Sequence, residues 1–178
     1  GRVAGADEQF QEGHIREPEG GVFESLRDGM WEPLTVPKTQ VAETRELLAM
    51  RDQAVALLAA EAATFDDTPA LDEARDRLRS AWEGYVDRWG PMGRVKVTTS
   101  TKLTRDGEPI VTRTFPQAIT RFRRDPYGPL VLALEVLDEE SGTVKAGPML
   151  RERMVVPRQP VTGVDSVGDA VAVSLDTM

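Results

Sequence analysis

The sequence predicts an α+β fold in which an antiparallel helical hairpin packs with short antiparallel β-hairpins. Two stretches, 39–65 and 70–89, carry apolar residues at the three- and four-residue spacing of amphipathic helices. Two Asp-Gly pairs, at 28–29 and 106–107, lie between apolar or β-branched runs, a pattern typical of tight β-hairpins. Because helical and strand patterns occupy separate stretches of one chain, the fold class follows from their order.

The two predicted helices should bury their apolar sides against each other. Thr68 can cap the second helix and Pro69 suits its first position. Gly90-Pro91 ends it, because proline cannot continue a helix. Charged residues such as Glu43 and Arg51 are interpreted as a solvated outer face. The side chains predicted to face inward are Leu47, Leu48, Val55, Leu58, Leu78, Trp82 and Tyr85.

Changes in composition divide the chain into four segments. The apolar run within 125–137 follows a turn, and its periodicity leaves open whether it is a buried strand or a short helix. Pro33 predicts an edge position for the second strand of the first hairpin. The segments are an N-terminal strand and hairpin (1–36), the helical hairpin (37–91), a basic β-rich segment (92–157), and a linker that starts a C-terminal helical element (158–178).

Composition sets bounds on the kind of protein. A chain of 178 residues with 40% hydrophobic residues suits one domain, or one domain plus an appendage. The net charge of −8 argues against a general nucleic-acid coat but not against a local basic patch. With no cysteine, disulfides and zinc-thiolate sites are excluded, and we expect a cytoplasmic protein. No apolar run approaches the ~20 residues that span a membrane. The sequence lacks an initiator Met, so we expect a fragment of a longer protein.

Motifs for catalysis are missing from the sequence. It holds neither the GxxxxGK[ST] phosphate loop nor the GxGxxG turn, so nucleotide binding has no motif support. His14 is the only histidine and lacks the companion ligands that a metal site requires. We therefore assign no catalytic residue, no cofactor, no cofactor-binding residue and no metal ligand, and we do not expect this chain alone to be an enzyme.

The stretch 94–124 has a different charge from the rest of the chain. It holds eight basic and two acidic residues, a net charge of +6, so the remainder of this −8 chain carries −14. Such asymmetry indicates a phosphate-facing surface. Phe115, Phe122 and Tyr127 could stack on bases there. The alternative is an exposed hairpin whose basic residues pair with the acidic helices. The candidate nucleic-acid-binding residues are Arg94, Lys96, Lys102, Arg113, Arg121, Arg123 and Arg124.

Several stretches, in order, resemble one protein family. Residues 36–94 end in Trp89-Gly90-Pro91-Met92-Gly93, where the family has an aromatic-Gly-Pro-Ile-Asn turn. Similar segments follow at 122–126, 133–135, 138–146, 151–157 and 169–176. Together they resemble the region between an adenine-specific DNA methyltransferase module and a SNF2-like helicase module in very large bacterial, plasmid and phage proteins. The chain departs from the family at Met92-Gly93 and at 147–149.

The resemblance implies a non-catalytic region, because the family's enzymatic motifs lie outside this segment. Such proteins are linked to phage defence or anti-restriction. The implied partners are the flanking methyltransferase and helicase modules of the same chain, and DNA contacted non-specifically through its phosphates. We expect a DNA-engaging accessory module. The alternative is a structural spacer or protein-interaction module without nucleic-acid contact, with the acidic helices as its contact surface.

Overall fold

The structure, a computed structural model, describes residues 2–3, 10–138 and 140–158. It confirms the α+β class, with a helical pair and antiparallel hairpins. Of the predicted C-terminal linker and helical element (158–178), only residue 158 lies within the described residues. The elements are β1 (Arg2–Val3), β2 (Ile15–Glu19), β3 (Val22–Arg27), β4 (Met30–Leu34), α1 (Val41–Ala63), α2 (Pro69–Trp89), β5 (Lys96–Leu103), β6 (Pro109–Thr114), α3 (Gln117–Phe122), α4 (Gly128–Leu132), β7 (Glu135–Leu137) and β8 (Val144–Ala146), with 3-10 turns at Lys38–Gln40 and Pro148–Leu150.

Local sequence chemistry sets the boundaries of α2. The Thr68 hydroxyl accepts a hydrogen bond from the Leu71 backbone N–H at 3.2 Å, and Pro69 occupies the first helical position. Gly90 follows the helix with a φ of +93°, a conformation that favours glycine. The predicted cap and stop are thus confirmed.

The helix pair forms the centre of the hydrophobic core. Leu47, Leu78 and Tyr85 are fully buried and Trp82 nearly so, as predicted. On α1 the buried face differs from the prediction, because Val55 and Leu58 are partly exposed. The other buried apolar residues of α1 are Leu48, Met50, Ala54 and Leu57.

Three charged residues of the two long helices, which we interpreted as part of a solvated outer face, are instead buried. Glu43, Arg51 and Arg75 have relative exposures of 6%, 4% and 9%. Each has a counter-charge within reach: Arg94 for Glu43, Asp125 for Arg51 and Glu61 for Arg75. The interpretation of these three residues as part of the solvated face is therefore wrong, because buried ions are retained where they are paired.

The N-terminal sheet is antiparallel, with strand order β1-β4-β3-β2. The β3–β4 hairpin turns at Asp28 and Gly29, whose φ angles of 52° and 79° give the two-residue turn that Asp-Gly predicts. β4 lies between β3 and β1, but its β1 partners are Met30 and Trp31. Within the described residues, β4 therefore resembles an edge strand only at its Pro33 end.

The segment 92–157 was predicted to be β-rich, and it also contains two short helices, α3 and α4. The open alternative at 125–137 resolves into a helical turn at 128–132 followed by strand β7. The Glu135 carboxylate on β7 accepts hydrogen bonds from the backbone N–H groups of Met92 at 2.9 Å and Gly93 at 3.0 Å. These contacts fix the loop that leads from α2 into β5.

A buried carboxylate holds the extended segment after β8. Glu61 has no exposed surface, and its Oε1 accepts from the backbone N–H groups of Met154 at 2.9 Å and Val155 at 3.1 Å. Arg153 donates in return to the Glu61 and Thr64 carbonyls, both at 2.7 Å. The end of α1 and residues 153–155 are thereby locked together.

Replacing Glu61 by Ala is expected to lower the free energy of unfolding by about 3–5 kcal/mol, because the Met154 and Val155 amides lose their acceptor and the buried Arg75 loses its carboxylate. The Met154 and Val155 amides should also lose protection from hydrogen exchange. Glu73→Ala, at an exposed position of α2, is the control. Unchanged amide protection in the Glu61 variant would contradict this account of the segment.

Candidate nucleic-acid interface

The β5–β6 hairpin is a two-stranded arm that pairs with no other strand among the described residues. Its sequence, rich in Thr and Val, favours strands. Its turn is closed by a hydrogen bond from the Thr104 N–H to the Glu108 carbonyl at 2.7 Å, with Gly107 at a φ of +81°. Apart from Ser100, every residue of both strands is exposed. Both faces of the arm are therefore open to a binding partner.

The register of the hairpin separates two of the predicted site residues. Lys96 lies opposite Thr114, whereas the next residue, Val97, lies opposite Arg113. Because successive residues of a strand point to opposite faces, Lys96 and Arg113 lie on different faces. One face carries Lys96 among threonines, and the other carries Arg113 beside exposed valines. Lys102 lies near the tip, beyond the register shift that follows Thr99.

Arg94 belongs to the body of the fold rather than to the arm. Its guanidinium donates to the Glu43 carboxylate at 2.9 Å, to the Tyr85 hydroxyl at 3.2 Å and to the Pro91 carbonyl at 3.0 Å. Burial raises the pKa of Tyr85, so its hydroxyl stays protonated and donates to Glu43 at 2.5 Å. This cluster ties both long helices to the loop that precedes β5.

The three remaining arginines lie on or just after α3, which follows β6 directly. Ile119 and Phe122 are buried and anchor this short helix. Arg121 is partly buried, whereas Arg123 and Arg124 are exposed. Arg121 and Arg124 line one groove, with a volume of about 400 Å³, between α3 and the end of β4. The structure therefore brings these two predicted residues together.

The aromatic residues proposed for base stacking are placed unevenly. Phe122 is 1% exposed and cannot stack on a base. Phe115 is 41% exposed, with the Arg123 guanidinium 4.6 Å from its ring centroid. Tyr127 is partly buried, and its hydroxyl accepts from Gln11. Phe115 is thus the most exposed of the three.

Most of the predicted basic residues have no acidic partner among the described residues. Among the residues that the structure describes, no carboxylate lies within salt-bridge distance of the arm and α3 cations, and the ion pairs of the body involve other arginines. The unpaired residues are Lys96, Lys102, Arg113, Arg121, Arg123 and Arg124.

A second cavity, of about 380 Å³, lies beside His14 and is lined by apolar residues of α1 and by Phe10. His14 is 8% exposed and stacks on Phe10, with 4.3 Å between ring centroids. Its burial, reinforced by the nearby Arg51, lowers its pKa and keeps the ring neutral near pH 7. Sequence reasoning missed this cavity, because its wall joins residues far apart in the chain.

No known protein family, curated protein or solved structure matches this chain. In the part of the chain that the structure describes, no group of three or more His, Cys, Asp or Glu side chains could hold a metal ion. None of the described helices combines the length and apolar character needed to cross a bilayer.

Proposed function

We propose that this chain is a non-catalytic, DNA-engaging accessory module of a DNA methyltransferase–helicase protein that acts in phage defence or anti-restriction. The module would couple the two activities by holding the DNA between them. Its place between the two enzymes is supported by the resemblance of most of residues 36–178 to that family. The DNA contact is supported by one observation on this chain, namely the unpaired cations of the arm and of α3.

The physical reason is electrostatic. A basic side chain without a carboxylate partner is free to replace a counterion at a DNA phosphate, and the released counterions drive binding. A two-stranded ribbon also has the width to enter the major groove of duplex DNA. The face of the arm with Lys96, Thr98, Thr112 and Thr114 offers cationic and hydroxyl donors suited to phosphate oxygens.

A spacer or protein-interaction module is the second candidate, and a separate observation favours it. Val97 and Val111, on the opposite face of the arm, are 55% and 56% exposed. Burial of these exposed aliphatic side chains against another protein would lower the free energy and so favour binding. The spacer candidate therefore rests on the valine face of the arm, which also carries Arg113.

Neutralising three residues of the arm and Arg123, which follows α3, should weaken binding to duplex DNA and flatten its salt dependence together. The variant carries Lys96→Gln, Lys102→Gln, Arg113→Gln and Arg123→Gln. Each lost phosphate contact removes roughly 0.9 from the slope of log K against log salt. Fluorescence anisotropy of a labelled duplex at several salt concentrations measures both quantities.

The matched control removes the same charge elsewhere on the surface. It carries Arg27→Gln, Arg77→Gln, Arg79→Gln and Lys145→Gln, all at exposed positions outside the arm and α3. The control should keep most of the affinity and the slope of the unmodified chain. Equal loss in both variants would mean that charge acts without a defined surface, and the proposed interface would then be wrong.

A further inference from the structure

The groove between β4 and α3 contains a cationic group that lacks an acceptor. Arg121 projects from α3, and its Nη1 is shielded from solvent without any hydrogen-bond partner among the described residues. A shielded donor with no acceptor is unfavourable, and more so when it is charged. Because the Arg121 side chain lines the groove, a rotation of its guanidinium toward an anion bound there would give this donor an acceptor.

The Glu43 carboxylate, whose charge acts on Arg121, does not supply the missing bond. Glu43 raises the pKa of Arg121 only as a secondary influence, while burial lowers it. The Oε2 atom of Glu43 already accepts from Tyr85 at 2.5 Å and from Arg94 at 2.9 Å. Arg121 therefore keeps a hydrogen-bonding capacity that these body residues do not use.

The other residues of the groove supply further donors. Arg124 adds a second guanidinium, and Thr35 and Thr120 add hydroxyl groups. The Gln117 Oε1 accepts from Gln40 at 2.9 Å, which leaves the Gln117 amide nitrogen as a donor. Within the described lining there is no acidic side chain. The donor set matches the oxygens of a phosphate, which arginine binds with good geometry.

We propose that the β4–α3 groove binds a phosphate group through Arg121 and Arg124. The source of this phosphate rests on the proposed function, and we assign it to a backbone phosphodiester of the DNA that the arm engages. Position supports the assignment, because only Phe115 and Pro116 separate β6 from α3. The Arg123 guanidinium lies over the ring of Phe115, the residue that directly follows β6, and so adds a positive charge between the groove and the arm.

The first experiment titrates the 178-residue chain with inorganic phosphate at constant ionic strength and follows its amide signals by NMR. Saturable shifts are expected at α3 residues, and acetate should not reproduce them. Arg121→Gln should raise the phosphate Kd about tenfold or more, the loss expected for a charge-assisted hydrogen bond. Arg124→Gln, at an exposed position, should also weaken phosphate binding. This variant tests the groove if Arg121→Gln fails to fold. Lys145→Gln should have no effect.

The second experiment measures duplex binding of the same variants by anisotropy. If Arg121→Gln loses phosphate binding and also binds the duplex more weakly, both the site and its assignment to the DNA backbone are supported. If phosphate binding is lost while duplex binding is unchanged, the groove takes a free phosphate compound, and the assignment to the DNA backbone is overturned. If the unmodified chain binds phosphate but no duplex, the proposed function fails and the groove remains a phosphate site. Phosphate shifts that persist in both Arg121→Gln and Arg124→Gln overturn the site itself.

Discussion

An Asp125→Asn variant is expected to lose about 3–5 kcal/mol of the free energy of unfolding, the cost of breaking a buried ion pair. The Asp125 side chain has no exposed surface, and its Oδ2 accepts from Arg51 Nη1 at 2.7 Å and from the Ile15 N–H at 2.9 Å. Replacement leaves the buried Arg51 charge without its carboxylate. Denaturant unfolding followed by circular dichroism measures the loss.

A double-mutant cycle separates the pair from its surroundings. Arg51→Met alone should also be destabilising, and the double variant should lose less than the sum of the two single losses. Asp52→Asn is the control, because that side chain is 69% exposed and its contact with Arg51 should contribute at most about 1 kcal/mol. Strictly additive losses would contradict a direct interaction between Arg51 and Asp125.

Trp82→Ala should destabilise the protein by about 3–5 kcal/mol, because a large buried side chain leaves a cavity that neighbours fill only partly. Trp82 is 5% exposed within the core of the helix pair. Its indole N–H also donates to Glu135 at 3.4 Å, the carboxylate that holds the loop before β5. Thermal and denaturant unfolding of the variant measure the effect.

Trp89 is the matched control, since it is the same residue type on the same helix but is partly exposed. Trp89→Ala should cost clearly less than Trp82→Ala. Near-unchanged stability of the Trp82 variant would remove that residue from the core and would contradict the packing of α2.

Several local features of the fold could be predicted from neighbouring residues in the sequence. The Asp-Gly pair at 28–29, the cap at Thr68 and the stop at Gly90-Pro91 each act through their nearest neighbours, and all three are present in the structure. The spacing of Leu78, Trp82 and Tyr85 likewise defines one buried face, because helical periodicity depends only on separation along the chain.

The buried ion pairs could not be derived in the same way. Arg51 and Glu61 lie at helical spacing from Leu47 and Leu57, on the buried face, but their charge favoured a solvent position. What stabilises them comes from far along the chain: Asp125 is 74 residues from Arg51, and the Val155 amide is 94 residues from Glu61. Only the tertiary fold brings these groups together.

The same limit applies to the candidate interface. The stretch 94–124 was singled out by charge, which is a property of composition. Whether each cation is free depends on distant partners, and Arg94 is paired with Glu43, 51 residues away. Which face Lys96 and Arg113 occupy depends on strand register, which the turn and the shift after Thr99 determine.

The fold gives the arm a fixed base. The Arg94–Glu43–Tyr85 cluster and the Glu135 contacts hold the loop that enters β5, and the buried side of α3 holds the chain that leaves β6. A platform of this kind lets an exposed hairpin reach a partner in a defined orientation. Binding would then lose less free energy to the ordering of the arm.

The most direct test of the central claim is the salt dependence of duplex DNA binding by the unmodified 178-residue chain. Anisotropy titrations at increasing salt should give a linear fall of log K against log salt. The slope should reach a magnitude of up to about 5, because six unpaired cations each contribute roughly 0.9. An absence of salt-sensitive binding even at low ionic strength would contradict the DNA role and leave the spacer module in its place.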